Sequence, residues 1–396
     1  MQVRLSLLLC ALLSACATSR FQSEPPAFLF QDNSFAAPAE RINASDVFAL
    51  DDPMRHFLQT DIARQLRLRG ELFGLVDALY RERQLKLNYD SSMTRNASEA
   101  FQAREGNCLS LVIMTAAFAM ELGLQVDFHQ AGTEEIWSRN GNLLLGSGHV
   151  NVTLGPKMAE VEHRVLQNPM TIDFLPPDER GGLRTREITQ QTIVAMYMNN
   201  KSVEAMVRGQ LDDAYGWARE SIRTNPAFVN SYNTLGVIYL HHADPEQAAR
   251  VFRYALERDP DNTVLMGNLA DALEQAGNGS EAAELRSRLA QLDPNPPYYF
   301  FDLGMQAMQR SDFDTARQMF AREVARADYN HEFHFWLAAA YYKLGEVERA
   351  RKQLVSAMER SPTRDDHNLY AAKLAWLKSN PHGGARAPAE IMAPGR

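Results

Sequence analysis

The stretch from Tyr232 to Pro260, YNTLGVIYLHHADPEQAARVFRYALERDP, decides the fold of the C-terminal half of this chain. Its Tyr232, Leu235, Gly236, Tyr239, Ala248, Phe252, Ala255 and Pro260 recur 34 positions later as Met266, Leu269, Ala270, Leu273, Ala282, Arg286, Leu289 and Pro294. The same step reaches Phe300, Leu303, Gly304, Ala316 and Phe320, then His334, Leu337, Ala338, Tyr341, Gly345, Ala350, Leu354, Ala357 and Pro362. One step back gives Gly209, Ala214, Ser221 and Pro226. A fixed period of this length is the signature of a stacked repeat architecture. Five units cover about 195–364, and Asp366 to Leu377 adds a capping helix.

These positions resemble the tetratricopeptide repeat pattern, with small residues where two antiparallel helices touch and a proline where the second helix stops. Some units depart from it. The first lacks the aromatic positions, the third has Arg286 in place of an aromatic, and the fourth lacks the terminal proline. Each helix pair can bury its apolar face only against its neighbours, so an all-α solenoid over 195–378 with an extended concave surface is expected. Such a groove takes a protein or peptide partner. Its inner-face positions in the last units would include Tyr298, Phe301, Met305, Met308, Phe335 and Tyr342. Any one of these could equally be inter-repeat core.

A first globular block, 44–190, precedes the repeats. Between residues 45 and 90, apolar positions such as Phe57, Ile62, Leu66, Phe73, Val76, Leu79 and Tyr80 are spaced for one buried helical face. The helix from Cys108 to Leu122 is apolar on nearly every side and belongs at a domain centre. Gly123 ends it, with Leu124 placed to close the cap. Strands follow, in which Leu124, Val126 and Phe128, then Val150, Val152 and Leu154, alternate with polar residues. In the second strand the opposite face carries His149, Asn151 and Thr153. A third short strand, Thr171-Ile172-Asp173-Phe174, puts Asp173 on a polar face before Pro176 ends it.

A cysteine opening a central helix in Arg104-Glu-Gly-Asn-Cys-Leu-Ser-Leu, then Gly148-His149 before an alternating strand, then Ile172-Asp173-Phe174, resembles the transglutaminase-like superfamily of papain-type cysteine enzymes. It is most similar to a bacterial branch whose helix reads Arg-x-Gly-x-x-x-Ser-Leu, runs on to Gly-Leu and is followed by a helical repeat segment. Many members of that branch lack the cysteine, whereas all three triad candidates are present here. The resemblance covers about 50–190 and implies an α+β papain-like domain with Cys108 as nucleophile, His149 as proton carrier and Asp173 as its orienting group. A free thiol ionises near pH ~8.5, and both a helix N-terminus and a neighbouring imidazolium favour its thiolate. Attack on a carbonyl would give a thioester. The Cys108 backbone N–H and one side-chain donor would hold the oxyanion; Gln102 is a candidate for that donor and could equally be a surface residue. Against this stands the reading of Cys108 as inert core. His129 and His163 have no motif around them and read as structural or exposed.

At the N-terminus, Met-Gln-Val-Arg and the apolar run Leu5 to Leu13 read as an export signal too short to be a permanent membrane helix. Leu13-Ser14-Ala15-Cys16 resembles a bacterial lipobox, which closes a signal segment over 1–16 and implies cleavage before Cys16, lipidation of Cys16 as the mature N-terminus and, with Ala17 next, an outer-membrane anchor facing the periplasm. Residues 17–43, rich in Ala, Ser, Pro and Gln, suit a flexible tether, and 379–396 a disordered tail. A net charge of -8 without a basic run argues against nucleic acid. No zinc-ligand spacing or phosphate-binding glycine loop is present, so no metal or cofactor is expected. The expected function is a lipid-anchored cysteine hydrolase, peptidase- or amidase-like, with repeats that recruit its partner. The alternatives are a non-catalytic adaptor lipoprotein and an acyl-transferring enzyme.

Overall fold

The computed structural model describes residues 24–81, 85, 87–90, 93–132, 136–140, 143–147, 149–157, 168–174, 184–361 and 364–379. The expected signal segment with Cys16, Gly148, His163, Pro176, Pro362 and the tail beyond Ser379 lie outside them. The chain divides into two units, one taking Met1–Ile42 with Val194–Ala283 and the other Asn43–Ile193 with Glu284–Arg396.

The helices of the first block are α1 (Asp52–His56), α2 (Ala63–Arg69), α3 (Glu71–Val76), α4 (Ala97–Ala103) and α5 (Cys108–Glu121). Two short strands, β1 (Asn88–Tyr89) and β2 (Glu105–Gly106), pair in parallel. After α5 come β3 (Gln125–Gly132), the hairpin β4 (Ile136–Asn140) and β5 (Leu143–Ser147), then β6 (Val150–Gly155), β7 (Met170–Ile172) and β8 (Arg184–Ile188). Strands β7, β6, β3 and β8 form, in that order, an antiparallel sheet.

Helix α5 is the centre of this block. Every residue from Leu109 to Ala119 is buried, as its all-round apolar sequence requires. Phe118 meets the rings of Phe57 and Phe101, while Val150, Val152 and Leu154 of β6 are buried on the sheet side. At its end Gly123 takes φ 73°, its N–H bonding to Met120 and that of Leu124 to Ala119 at 2.9 and 3.0 Å. A Cβ would oppose that left-handed backbone.

The repeats are helix pairs: α6 (Gln190–Val207) with α7 (Leu211–Thr224), α8 (Val229–His241) with α9 (Pro245–Leu256), α10 (Thr263–Gln275) with α11 (Gly279–Leu292), α12 (Tyr299–Gln309) with α13 (Phe313–Arg326), and α14 (His331–Lys343) with α15 (Val347–Glu359), capped by α16 (Arg364–Ser379). Their contact is set by size. A Cβ on Gly236 would lie 2.4–2.8 Å from ring atoms of Phe252, and one on Gly304 2.5–2.9 Å from those of Phe320. In the fifth unit the second helix supplies the smaller Leu354, and Ala338 stands where the glycine was, both fully buried in one cluster. In the third unit Arg286 replaces the ring and is exposed. Helix α11 buries Ala282 and little else, and the boundary between the two units falls within it.

Residues 17–43 were expected to form a tether, but their described part, 24–42, is a strap bound across the first two helix pairs. Leu29 is fully buried. Phe35 stacks on Tyr215 with ring centroids 4.0 Å apart. The Asp32 carboxylate accepts from Tyr215 Oη at 2.7 Å and Arg219 Nη2 at 2.8 Å. The Leu29 carbonyl accepts from Tyr239 Oη at 2.8 Å, and Phe28 O from Gln247 Nε2 at 2.7 Å. Asp212 and Asp213 accept from the Ala36 and Ala39 N–H groups. Backbone groups that a tether would leave in water are therefore paired with repeat side chains.

The size rule predicts that Gly304→Ala will lower stability in urea unfolding by about 1–3 kcal/mol, the usual cost of overpacking. Most of that loss should return when Phe320→Leu is added, since leucine with alanine already fits in the fifth unit.

Candidate active site

The site begins with the capping of α5. Asn107 precedes the helix in an extended conformation, and its Oδ1 accepts from the Ser110 N–H at 2.9 Å and Ser110 Oγ at 2.8 Å. Its Nδ2 donates to Thr94 Oγ1 at 3.0 Å, and the Arg95 N–H donates to Ser110 Oγ at 2.8 Å. The chain entering the helix is thus held from both sides, and Cys108 is fixed at the first helical position, half-buried. There the unpaired N–H groups of the first turn carry partial positive charge.

The sheet supplies the other two groups. His149, just before β6, is 1% exposed, and its Nε2 lies 2.7 Å from Asp173 Oδ1, just after β7. The Cys108 side chain is close enough to the imidazole to raise its pKa. Burial alone would lower the pKa of His149. The hydrogen bond to Asp173, then the neighbouring Cys108 side chain and the charge of Asp173, outweigh it and hold the group at about 9. Cys108, His149 and Asp173, 65 residues apart in sequence from first to last, therefore form one connected chain of side chains. Such a chain can generate a nucleophile, move a proton and keep the imidazole oriented.

The other expected site residues lie elsewhere. Gln102 is on the exposed side of α4, its amide donating to Asp51 Oδ2 at 2.6 Å; that carboxylate, which also caps α1 at Met54 N–H, commits it away from an oxyanion role. Tyr298, Phe301 and Phe335, expected on a groove surface, are only 1%, 4% and 2% exposed. Tyr298 packs on Phe301 and Phe333 and accepts from Asn330 Nδ2, while Phe335 stacks on Tyr370 of the capping helix. They are core because α14 and α16 cover them. Met305, Met308 and Tyr342 are half-buried against the same clusters. His129, on β3, lies 3.4 Å from Thr153 Oγ1. Asn151, which the strand alternation put on the face of His149 without a role, is buried beside Asp173. Among the described residues no group of three His, Cys, Asp or Glu could hold a metal ion, and no described helix is long and apolar enough to cross a membrane.

A tetratricopeptide-repeat family model matches residues 239–300, and a second matches residues 301–365. Residues 239–365 are tetratricopeptide repeats. With their helix pairs and the 34-residue step, they make the C-terminal region an all-helical repeat solenoid. No curated protein matches the chain. Among solved structures it is similar to PilF of Pseudomonas aeruginosa, at 18% identity over 50% of this chain and 90% of that one, with a TM-score of 0.30. PilW, a type IV pilus biogenesis factor, is 19% identical over 50% and 90%, with a TM-score of 0.28. YrrB, described as a TPR protein with an unusual peptide-binding site, is 20% identical over 46% and 92%, with a TM-score of 0.25. At TM-scores this low the likenesses have no bearing on activity.

The raised pKa of His149 has a signed consequence for stability. The folded state holds this proton more tightly than the unfolded chain, whose histidine titrates near ~6.5. The stabilisation is full below about pH 6.5 and is lost as pH rises through about 9. Urea unfolding from pH 6 to 10 should show that decline, and Asp173→Asn should shrink it.

Proposed function

We propose that this chain is an interaction scaffold whose tetratricopeptide repeats hold a protein or peptide partner, and that its first domain cleaves an amide bond in that partner through Cys108. The first part rests on the repeats, whose stacked helix pairs serve widely as protein-binding surfaces. The second rests on one observation, the buried His149 bonded to Asp173 at 2.7 Å with Cys108 beside it raising its pKa. It agrees with the transglutaminase-like resemblance of residues 50–190.

In this reading the Cys108 thiolate adds to the carbonyl carbon, and the oxyanion is met by N–H groups at the start of α5. His149 gives its proton to the leaving amine as the C–N bond breaks and a thioester remains. A water then adds, His149 takes its proton, and collapse releases the carboxylate and the thiolate. An amine in place of water would make the step acyl transfer. Asp173 stays ionised throughout and orients the ring. The position of the repeat matches at 239–365 favours a second reading, a scaffold without catalysis.

The rate of Cys108 alkylation by iodoacetamide against pH separates the two. The catalytic reading expects fast alkylation persisting at pH 6, lost in His149→Ala. A thiol that reacts only as an ordinary cysteine does, unchanged by His149→Ala, would leave the scaffold alone. Cys16 is proposed as a lipidated mature N-terminus at the periplasmic face of an outer membrane. Cells fed labelled palmitate should label the protein, and Cys16→Ala should abolish the label.

A further inference from the structure

Strand register places Asn151 against Asp173. Val152 pairs with Ile172, Thr153 with Thr171 and Leu154 with Met170, so the next cross-strand pair in the ladder is Asn151 with Asp173. The two pairs share a face, since strand residues two apart do. Thr153 Oγ1 and Thr171 Oγ1 are 2.9 Å apart, and Asn151 Nδ2 points at Asp173 Oδ2 at 3.4 Å. His149 continues the stripe two residues on. The two carboxylate oxygens are divided, Oδ1 to the imidazole and Oδ2 to the amide.

Asn151 is 4% exposed, and its Oδ1 is buried without a hydrogen-bond partner. A buried amide oxygen left unpaired is destabilising. An apolar residue would avoid that cost, so the side chain is best understood by what its other end does. The terminal torsion of an aspartate is broad. With Oδ2 met from across the strand, turning the carboxylate would give up this contact as well as the one from Oδ1 to His149 Nε2. Because the donor is a neutral amide, it favours the ionised carboxylate without offering Asp173 a competing proton.

We propose that Asn151 is a positioning residue of the Cys108 centre, fixing the Asp173 carboxylate so that His149 keeps its orientation toward the thiol. This rests on the catalytic reading above. Oriented imidazoles supported by outer hydrogen bonds commonly lose about tenfold or more in function when the support is removed.

The test is the ratio of Cys108 alkylation rates by iodoacetamide at pH 6 and pH 9 in the full chain, with the melting temperature of each variant. Asn151→Ala should lower the ratio by about tenfold. Asn151→Asp should lower it further, because two carboxylates facing across the strand share a proton. Asn151→Ser, which keeps a donor, should recover part of it. Thr153→Val, which removes the neighbouring pair on the same stripe, should leave it unchanged. If wild type keeps its fast pH 6 reaction, His149→Ala loses it, and Asn151→Ala and Asn151→Asp alter only the melting temperature, Asn151 is structural and the proposal is overturned. If the wild-type thiol reacts as an ordinary cysteine and His149→Ala changes nothing, the catalytic reading itself has failed.

Discussion

The fixing of one helix end is the constraint on which the first domain depends. Helix α5 is buried along its length, so its position is set by packing, but its start must also deliver a polar residue to a reactive edge. Asn107 reconciles these demands. By accepting the Ser110 N–H and donating to Thr94, it satisfies a first-turn donor that burial would otherwise penalise, and it stops the helix from fraying at the residue that follows. Gly106 completes the turn, since a Cβ there would lie 2.7 Å from Ser110 Cβ. A thiol on a frayed turn would sample many distances from His149, whereas here both partners are held by secondary structure that ends where they begin.

The sheet adds a second kind of order. One face of β6, with Val150, Val152 and Leu154, belongs to the core, and the other collects His149, Asn151 and Thr153. That second face is not solvated as in a simple two-sided sheet, because His149 and Asn151 are buried. Electrostatic interactions there are stronger than in water. The pull of Asp173 and Cys108 on the His149 proton can therefore exceed the desolvation that opposes it.

Much of this was legible in the sequence, for reasons that can be named. The 34-residue step is carried by residues whose size the helix contact demands, Gly236 with Phe252 and Gly304 with Phe320, so the repeats were visible as spacing. The order of Cys108, His149 and Asp173 was visible because each sits beside a local signal, a cap or an alternating strand. Burial at the solenoid's inner positions was not, since whether Tyr298 or Phe335 faces a groove or a neighbour depends on how α14 and α16 cross over them. Gln102 stayed open between an oxyanion donor and a surface residue because Asp51, which holds it, is 51 residues away. The strap was invisible for the same reason in stronger form: residues 24–42 have no period, and their partners begin at Asp212.

That strap has a consequence for how the protein can be made. Its hydrogen bonds close loops of 174 to 219 residues, and the whole of the first block lies inside them. Entropy is a minor obstacle, since doubling a loop of this length costs only about 0.6 kcal/mol. Order of assembly is the larger one, because contacts this distant form late. The strap is synthesised first, yet its last partner, Tyr254 against Phe28, appears only after the first block and two helix pairs exist. The first block is thus a guest inserted in the chain of the first repeats, and their completion waits on a segment made some two hundred residues earlier.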